Sequence, residues 1–326
     1  MDLESAVQKY RIAVPTDAEF YSQEYKDYFD PSVEPEYNER LEKFRPFQEM
    51  YYRSFVATFH EGMERNGLSD NDSRAVVLGG QTGAGKTGLS ILAKMEFAER
   101  GQQLYIIDDD MYRHFYPRAD EILKECPEHF TIISAMGSGP VTPKIMKYAS
   151  DKGLNFLFDG TLKNPRIINT AMSWPNYKID WMIMATSKKE SLLSIFERNE
   201  ELRQIKQARL ITVDAHNETY IGLEPTLMQL ENIPDVGRIR VFSRGENHGL
   251  PILQYDSTTK QGKYFSAYHA LRAERAIDDK AHTESEVLAR IDKLQNSSVP
   301  LNDNEREALF QLQEELLPNS RYNEQY

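Results

Sequence analysis

Ala75-Val-Val-Leu-Gly-Gly80-Gln-Thr-Gly-Ala-Gly85-Lys86-Thr87 runs from a short apolar stretch into a glycine-rich turn. Ala75–Leu78 suits a buried strand, and a helix is expected after the turn, through Ala93 and Phe97. The turn itself fits G-x-x-x-x-G-K-[ST]. Glycines let consecutive backbone N–H groups curl around phosphate, and the N-terminus of the following helix adds positive potential. In that pattern Gly80, Gln81, Thr82, Gly83, Ala84 and Gly85 form the cradle, Lys86 reaches the β- and γ-phosphates, and Thr87 offers a hydroxyl to Mg²⁺. The plainer reading, a glycine turn capping a helix, is disfavoured by the strand–turn–helix context. The loop therefore predicts a nucleoside triphosphate site.

Working outward, Leu104–Ile107, Phe156–Phe158 and Trp181–Met184 read as further strands with helical segments between them. Such alternation implies crossover connections and an α/β fold with a mainly parallel sheet flanked by helices. Arg240–Phe242 and Ile252–Tyr255 suggest one more strand or a hairpin. Three segments are expected: a mostly helical extension over 1–73, a core over 74–261 and a helical extension over 262–326. Pro15, Pro31 and Pro35 break any long helix near the start. After Pro46, Tyr52, Val56, Phe59 and Met63 fall on one helical face, with Gly67 as the stop. Near the other end Thr283-Glu-Ser-Glu286 has capping-box form. Val287, Ile291 and Leu294 then share a face, and a last helix from Asn302 and Glu305 carries Leu309, Leu312 and Leu316.

Composition narrows the function. The 326 residues carry 39 basic and 51 acidic side chains, a net charge of -12. Duplex nucleic acid is bound largely by neutralising phosphates, so an acidic chain with no basic domain makes a poor binder. A mean hydropathy of -0.62 and no long apolar run exclude a membrane-spanning helix. The acidic start, MDLESAVQKY, lacks the basic and apolar parts of a secretory signal. The single cysteine, Cys126, permits no internal disulfide, and no histidine spacing suggests a metal site. A cytoplasmic location is expected.

Carboxylates and arginines mark the candidate chemistry. Asp108-Asp109-Asp110 ends the second strand, where open α/β sheets bind ligands. One of the three could take a hydroxyl proton during phosphoryl transfer and another contact the metal shell; equally, the triplet suits a helix cap. Asp159-Gly160-Thr161 ends the third strand and resembles the metal-associated carboxylate position of P-loop proteins, though loop polarity explains an acidic residue there equally well. Ser191–Arg209 carries Arg198, Arg203 and Arg209 near Lys206, side chains able to clamp a migrating phosphoryl group. By itself that stretch reads more simply as a solvated helix face, given Glu197, Glu200 and Glu201.

Together these pieces resemble the zeta toxin family, kinases of bacterial toxin–antitoxin modules, over roughly residues 75–256. Four blocks carry the likeness: Leu78–Thr87; Ile107–Asp110 with Tyr112, Arg113 and Pro117; Asp159-Gly160-Thr161; and Glu197-Arg198 with Ala208-Arg209 and Ala215-His216. The resemblance implies a P-loop kinase that uses ATP and Mg²⁺ to phosphorylate the 3′-hydroxyl of a UDP-N-acetyl amino sugar, blocking cell-wall precursor synthesis. It implies Lys86 and Thr87 at phosphate and metal, and Asp110 as general base. Arg113, Asp159 and Thr161 would contact substrate, and Arg198 with Arg209 would clamp the phosphate. A small helical antitoxin is the expected partner. Two departures bear on the acceptor: Asp159 stands where the family usually has Glu, and Lys163 where it has Arg, a point charge in place of a fork. Competing readings are a kinase of another small hydroxyl substrate, such as a nucleotide or antibiotic, and a regulatory P-loop ATPase. The first 73 residues either pack permanently as structure, the favoured reading, or cover the nucleotide cleft as a brake.

Overall fold

A computed structural model describes residues 1–33, 38–59, 73–204, 211–245, 249–259, 262–297, 301 and 303–317. Among them six strands form: β1 (Arg74–Gly79), β2 (Tyr105–Ile107), β3 (Phe156–Phe158), β4 (Lys178–Met184), β5 (Arg238–Ser243) and β6 (Ile252–Asp256). The chain separates into two compact units, Met1–Arg65 with Tyr105–Lys152, and Asn66–Leu104 with Gly153–Tyr326. These units interleave along the chain, whereas the sequence reads as three consecutive segments. A linear reading cannot detect that the N-terminal helices find their core in residues 105–152.

In the second unit the strands run β3-β1-β4-β5-β6. β1 pairs in parallel with both β3 and β4, placing Val77 beside Phe158 and Trp181. Such a strand is covered on both faces, which explains its unbroken apolar run: Ala75 through Gly79 are all buried. β5 continues the parallel order, and β6 returns antiparallel with an irregularity at Val241 and Phe242. The helices Glu284–Gln295 and Asp303–Leu316 bury Val287, Ile291, Leu294, Leu309 and Leu312 in one cluster with Leu192, Leu193 and Phe196 of the Lys188–Gln204 helix. The predicted capping box is present, with Thr283 and Glu286 each satisfying the other's backbone N–H. Residues beyond 262 therefore share a core with an internal helix of this unit.

The first unit is helical and aromatic. Its early helices, Leu3–Tyr10, Asp17–Phe20, Gln23–Phe29 and Glu39–Glu42, are short, as the prolines require. The Arg45–Thr58 helix forms, yet its buried face differs from the expected one: Phe47, Met50, Ser54 and Thr58 point inward. Phe59, just past its end, is buried, while Tyr52 is 65% and Val56 43% exposed; Met63 and Gly67 lie outside the described residues. Aromatic and apolar residues surround this helix, so several periodic subsets fit its sequence. The true face hides two hydroxyls, Ser54 bonding back to the Met50 carbonyl and Thr58 to that of Ser54. Burying Phe47 and Met50 contributes about 1.5–3 kcal/mol each. The opposing helix, Phe130–Asp151, admits Met50 through Gly137, where an added Cβ would lie 2.6 Å from the Met50 sulfur and 3.0 Å from the Tyr116 ring. Cys126 is buried and burial raises its thiol pKa, which suits an inert core residue.

Candidate active site

The glycine-rich loop leaves the C-terminal end of β1, and the Lys86–Glu99 helix starts directly after it. Gly83 and Gly85 adopt φ values of +77° and +95°, which side chains rarely tolerate. Space forbids a side chain as well: a Cβ on Gly83 would stand 2.0 Å from the Ser191 carbonyl oxygen. A loop whose N–H groups face an anion turns its carbonyls outward, and those need donors. Here the ends of the neighbouring strands supply them. Thr186, just past β4, donates to the Ala84 carbonyl at 2.8 Å. Arg244, just past β5, donates to the same oxygen at 3.1 Å and to the Gly83 carbonyl. From the β3 side the Thr161 carbonyl accepts the Gly80 N–H at 3.2 Å. Lys86 donates to the Gly80 carbonyl at 3.0 Å and sits near that of Gln81, while Thr87 is exposed in the first helical turn.

Gln81, fully buried, anchors the loop's second position. Its amide nitrogen donates to the Thr186 carbonyl at 2.8 Å and to the Ser191 hydroxyl at 3.1 Å. The Ser191 hydroxyl lies 2.8 Å from His216 Nε2, and His216 Nδ1 lies 3.2 Å from the Asn217 side-chain oxygen. A neutral imidazole fits these contacts, and the Ser191 hydroxyl also meets the Ser187 carbonyl at 2.7 Å. Burial supports that form, depressing the His216 pKa to about 4. Around Arg244 the charges are paired: Glu190 accepts from Arg244, Ser194 and Arg290. Burial raises the Glu190 pKa, but the Arg290 hydrogen bond and the two guanidinium charges outweigh it and hold it below the usual range.

The other predicted residues divide between the units. Asp159 and Thr161 belong with the loop and are partly buried in the turn after β3. Arg198 is on the exposed side of the Lys188–Gln204 helix, and its neighbour Glu197 is gripped by both arms of Arg290 at 2.7 Å. Lys206, Arg209 and the Arg203 side chain lie outside the described residues. In the first unit, the aspartate triplet opens the Asp109–Arg113 helix, and Asp108 acts as its cap, accepting the Asp110 N–H at 2.9 Å. Asp109 takes Arg113 at 2.9 Å and the Thr142 hydroxyl at 3.1 Å. Asp110, 47% exposed, meets Arg113 at 3.2 Å. No cluster of potential metal ligands occurs among the described residues.

Sequence reasoning missed Arg244 and Arg275. The first has a positional signal, since it follows a strand end where open α/β sheets bind ligands. The second has a periodic one: Ala267, Ala270, Leu271, Glu274 and Arg275 form the buried face of the Ala267–Ala281 helix, and an arginine there is out of place unless partnered.

A central parallel strand feeding a glycine loop and a helix, with a carboxylate turn after the adjacent strand, defines the P-loop kinase fold. A family model described as Zeta toxin matches residues 62–251, more than half of the chain, and the protein belongs to the zeta toxin family. It is 25% identical over 207 residues to Toxin PezT of Streptococcus pneumoniae, covering 62% of this chain and 81% of that one. It is 28% identical over 204 residues to Toxin zeta of Streptococcus agalactiae, covering 61% and 70%. A solved chain of the PezAT chromosomal toxin–antitoxin system of S. pneumoniae shares the fold with a TM-score of 0.61 at 23% identity, over 80% of this chain and 99% of that one. A chain of the AvrRxo1-ORF1:AvrRxo1-ORF2 crystal structure with sulphate ions shares it at 0.50 and 13% identity, over 94% and 93%.

Proposed function

We propose that the protein is a toxin-type kinase that uses ATP and Mg²⁺ to phosphorylate the 3′-hydroxyl of a UDP-N-acetyl amino sugar. The observation that carries the reading is the Gly80–Thr87 loop, whose glycine conformations, and whose outward carbonyl of Ala84 accepting from Thr186 and Arg244, suit a triphosphate. Lys86 exchanges its carbonyl partners for phosphate oxygens, and Thr87 holds the metal, which when bound neutralises charge on the β- and γ-phosphates. Asp110 takes the acceptor's proton as its oxygen bonds to the γ-phosphorus. The bond to the β–γ bridging oxygen breaks, and ADP leaves. Arg113, Asp159 and Thr161 orient the sugar, while Arg198 and Arg209 neutralise the moving phosphoryl group. Family membership supports the kinase-type toxin, and the toxin–antitoxin origin of the PezAT neighbour supports a small helical antitoxin as partner. The cytoplasm is the proposed compartment; no helix of the described residues is long and apolar enough to cross a membrane.

A second reading keeps the kinase and changes the acceptor. Asp159 is one methylene shorter than the family's Glu, and the Lys163 ammonium is engaged by Glu218. Both changes bear on acceptor fit, and a nucleotide or an antibiotic hydroxyl is the alternative. The deciding experiment incubates the protein with ATP, Mg²⁺ and a panel of UDP-sugars, nucleotides and aminoglycosides, with Lys86→Ala as the inactive control. A UDP-N-acetyl sugar gaining one phosphate is expected by mass. Gain on another acceptor replaces the substrate, and ATP hydrolysis that needs no acceptor overturns the kinase reading.

A further inference from the structure

Residues beyond the family match reach into the phosphate-binding loop. Arg275, in the Ala267–Ala281 helix, lies outside 62–251 and is only 3% exposed. Its Nη2 donates to Gln81 Oε1 at 3.1 Å, across 194 residues of chain. Its Nη1 donates to the Tyr220 carbonyl and to Glu224, each at 3.2 Å. The guanidinium carbon stands 3.8 Å from the Tyr220 ring centroid. Nε is buried with no acceptor among the described residues, so the group is held by its terminal nitrogens and by stacking. Burial lowers its pKa, with Tyr220 and Glu224 opposing the shift, and a guanidinium stays charged regardless.

We infer that Arg275 is a positioning residue that sets the conformation of the phosphate-binding loop through the side chain of Gln81. The Gln81 amide is the loop's one side-chain anchor with three named partners: Thr186 and Ser191 on its nitrogen and Arg275 on its oxygen. The Thr186 carbonyl, which only accepts, and the Arg275 guanidinium, which only donates, fix which way the amide faces. Without Arg275, Oε1 would be buried and unpaired, and the amide, held only through its NH₂ at Thr186 and Ser191, would lose the partner that fixes its other end, so the loop it anchors loosens. The same arginine joins the Val213–Glu231 and Ala267–Ala281 helices, so the C-terminal extension becomes part of the nucleotide site. Lysine cannot replace it, because one ammonium cannot span Gln81, Tyr220 and Glu224 in the plane of a fork.

The inference rests on the reading of the loop as an ATP site, and the test separates the two. ATP affinity is measured with Mg²⁺ on the full chain for wild type, Arg275→Met, Arg275→Lys, Gln81→Met and the double variant Gln81→Met with Arg275→Met. Thermal melting checks that each is folded. If loosening leaves about one loop in ten competent, apparent affinity falls about tenfold. Arg275→Met is expected to weaken ATP by about that factor and to add less than about twofold once Gln81 is gone. Arg275→Lys, which keeps charge and most of the volume, is expected to weaken ATP at least about fivefold and serves if the methionine variant does not fold. A merely structural arginine would lower the melting temperature without that coupling. Unchanged ATP affinity in folded Arg275→Lys, or an Arg275→Met effect undiminished in the Gln81→Met background, overturns the positioning role alone. Failure of the wild type to bind ATP overturns the site reading and this inference together.

Discussion

Asp108, Asp109 and Asp110 are chemically identical and occupy three different environments. Asp108 caps a helix, Asp109 is tied to Thr142 and Arg113, and Asp110 presents its carboxylate with about half its surface open. A general base must be reachable by the acceptor hydroxyl, which favours Asp110 on exposure. Asp110→Asn is expected to lower turnover by about 10²–10⁴ while leaving ATP affinity intact, as read by kinase rate and nucleotide titration. Asp109→Asn removes the carboxylate that orients Arg113, so the larger change should fall on acceptor KM. A dead Asp108→Asn with a near-normal Asp110→Asn would reverse the assignment.

Elements meet through details that no single helix declares. Gly137 lets the Phe130–Asp151 helix lie against Met50 and Tyr116, both buried. Gly137→Val should overpack that contact and cost about 1–3 kcal/mol in a denaturant midpoint. Placing it on Met50→Ala should return part of the loss; equal stability of Gly137→Val and wild type would show the contact has slack. The helix beginning at Val213 brings His216 behind the phosphate-binding loop, neutral and buried. Its pKa falls from 6.5 to about 4 on folding, so below pH 6.5 the unfolded chain takes up a proton that the folded chain refuses. The contribution is complete above pH 6.5 and is lost as pH falls toward 4, reaching about 2 kcal/mol by pH 5. His216→Gln should therefore lose less stability than wild type between pH 7.5 and 5 in urea titrations. Parallel losses in the two proteins would remove His216 from the acid response.

On the scale of the whole chain, the N-terminal residues pack within their own unit. Ala6, Tyr10, Tyr25, Leu41 and Phe44 are buried, and Asp17 pairs with Lys144, whose side chain is otherwise enclosed near Phe20 and Tyr21. Deleting residues 1–45 removes all of these together with the Phe20 and Tyr21 rings, so the apolar surface they cover and the Lys144 ammonium are opened to water, and that apolar burial is lost. The truncated protein should melt at lower temperature and bind ATP no more tightly than the full chain. Tighter ATP binding with faster turnover in a soluble truncated protein would instead make this segment a brake.

The glycine-rich loop between strand and helix, the strands and the Thr283–Glu286 cap were legible in the sequence because each is set by neighbours a few residues apart. Glycine conformation, apolar runs and capping distances are local physics, and the chain spells them out in order. The zeta toxin blocks were legible for the same reason. Only the tertiary structure decided that Phe47, Met50, Ser54 and Thr58, not Tyr52 and Val56, face the core, since an aromatic-rich helix leaves that choice to its packing partner. It also decided that residues 1–65 join 105–152, and that Arg244 and Arg275 hold the loop from 160 and 194 residues away. Contacts at that separation leave no periodic trace beyond a charged residue on an apolar face. Which partner the charge finds depends on how every intervening element packs.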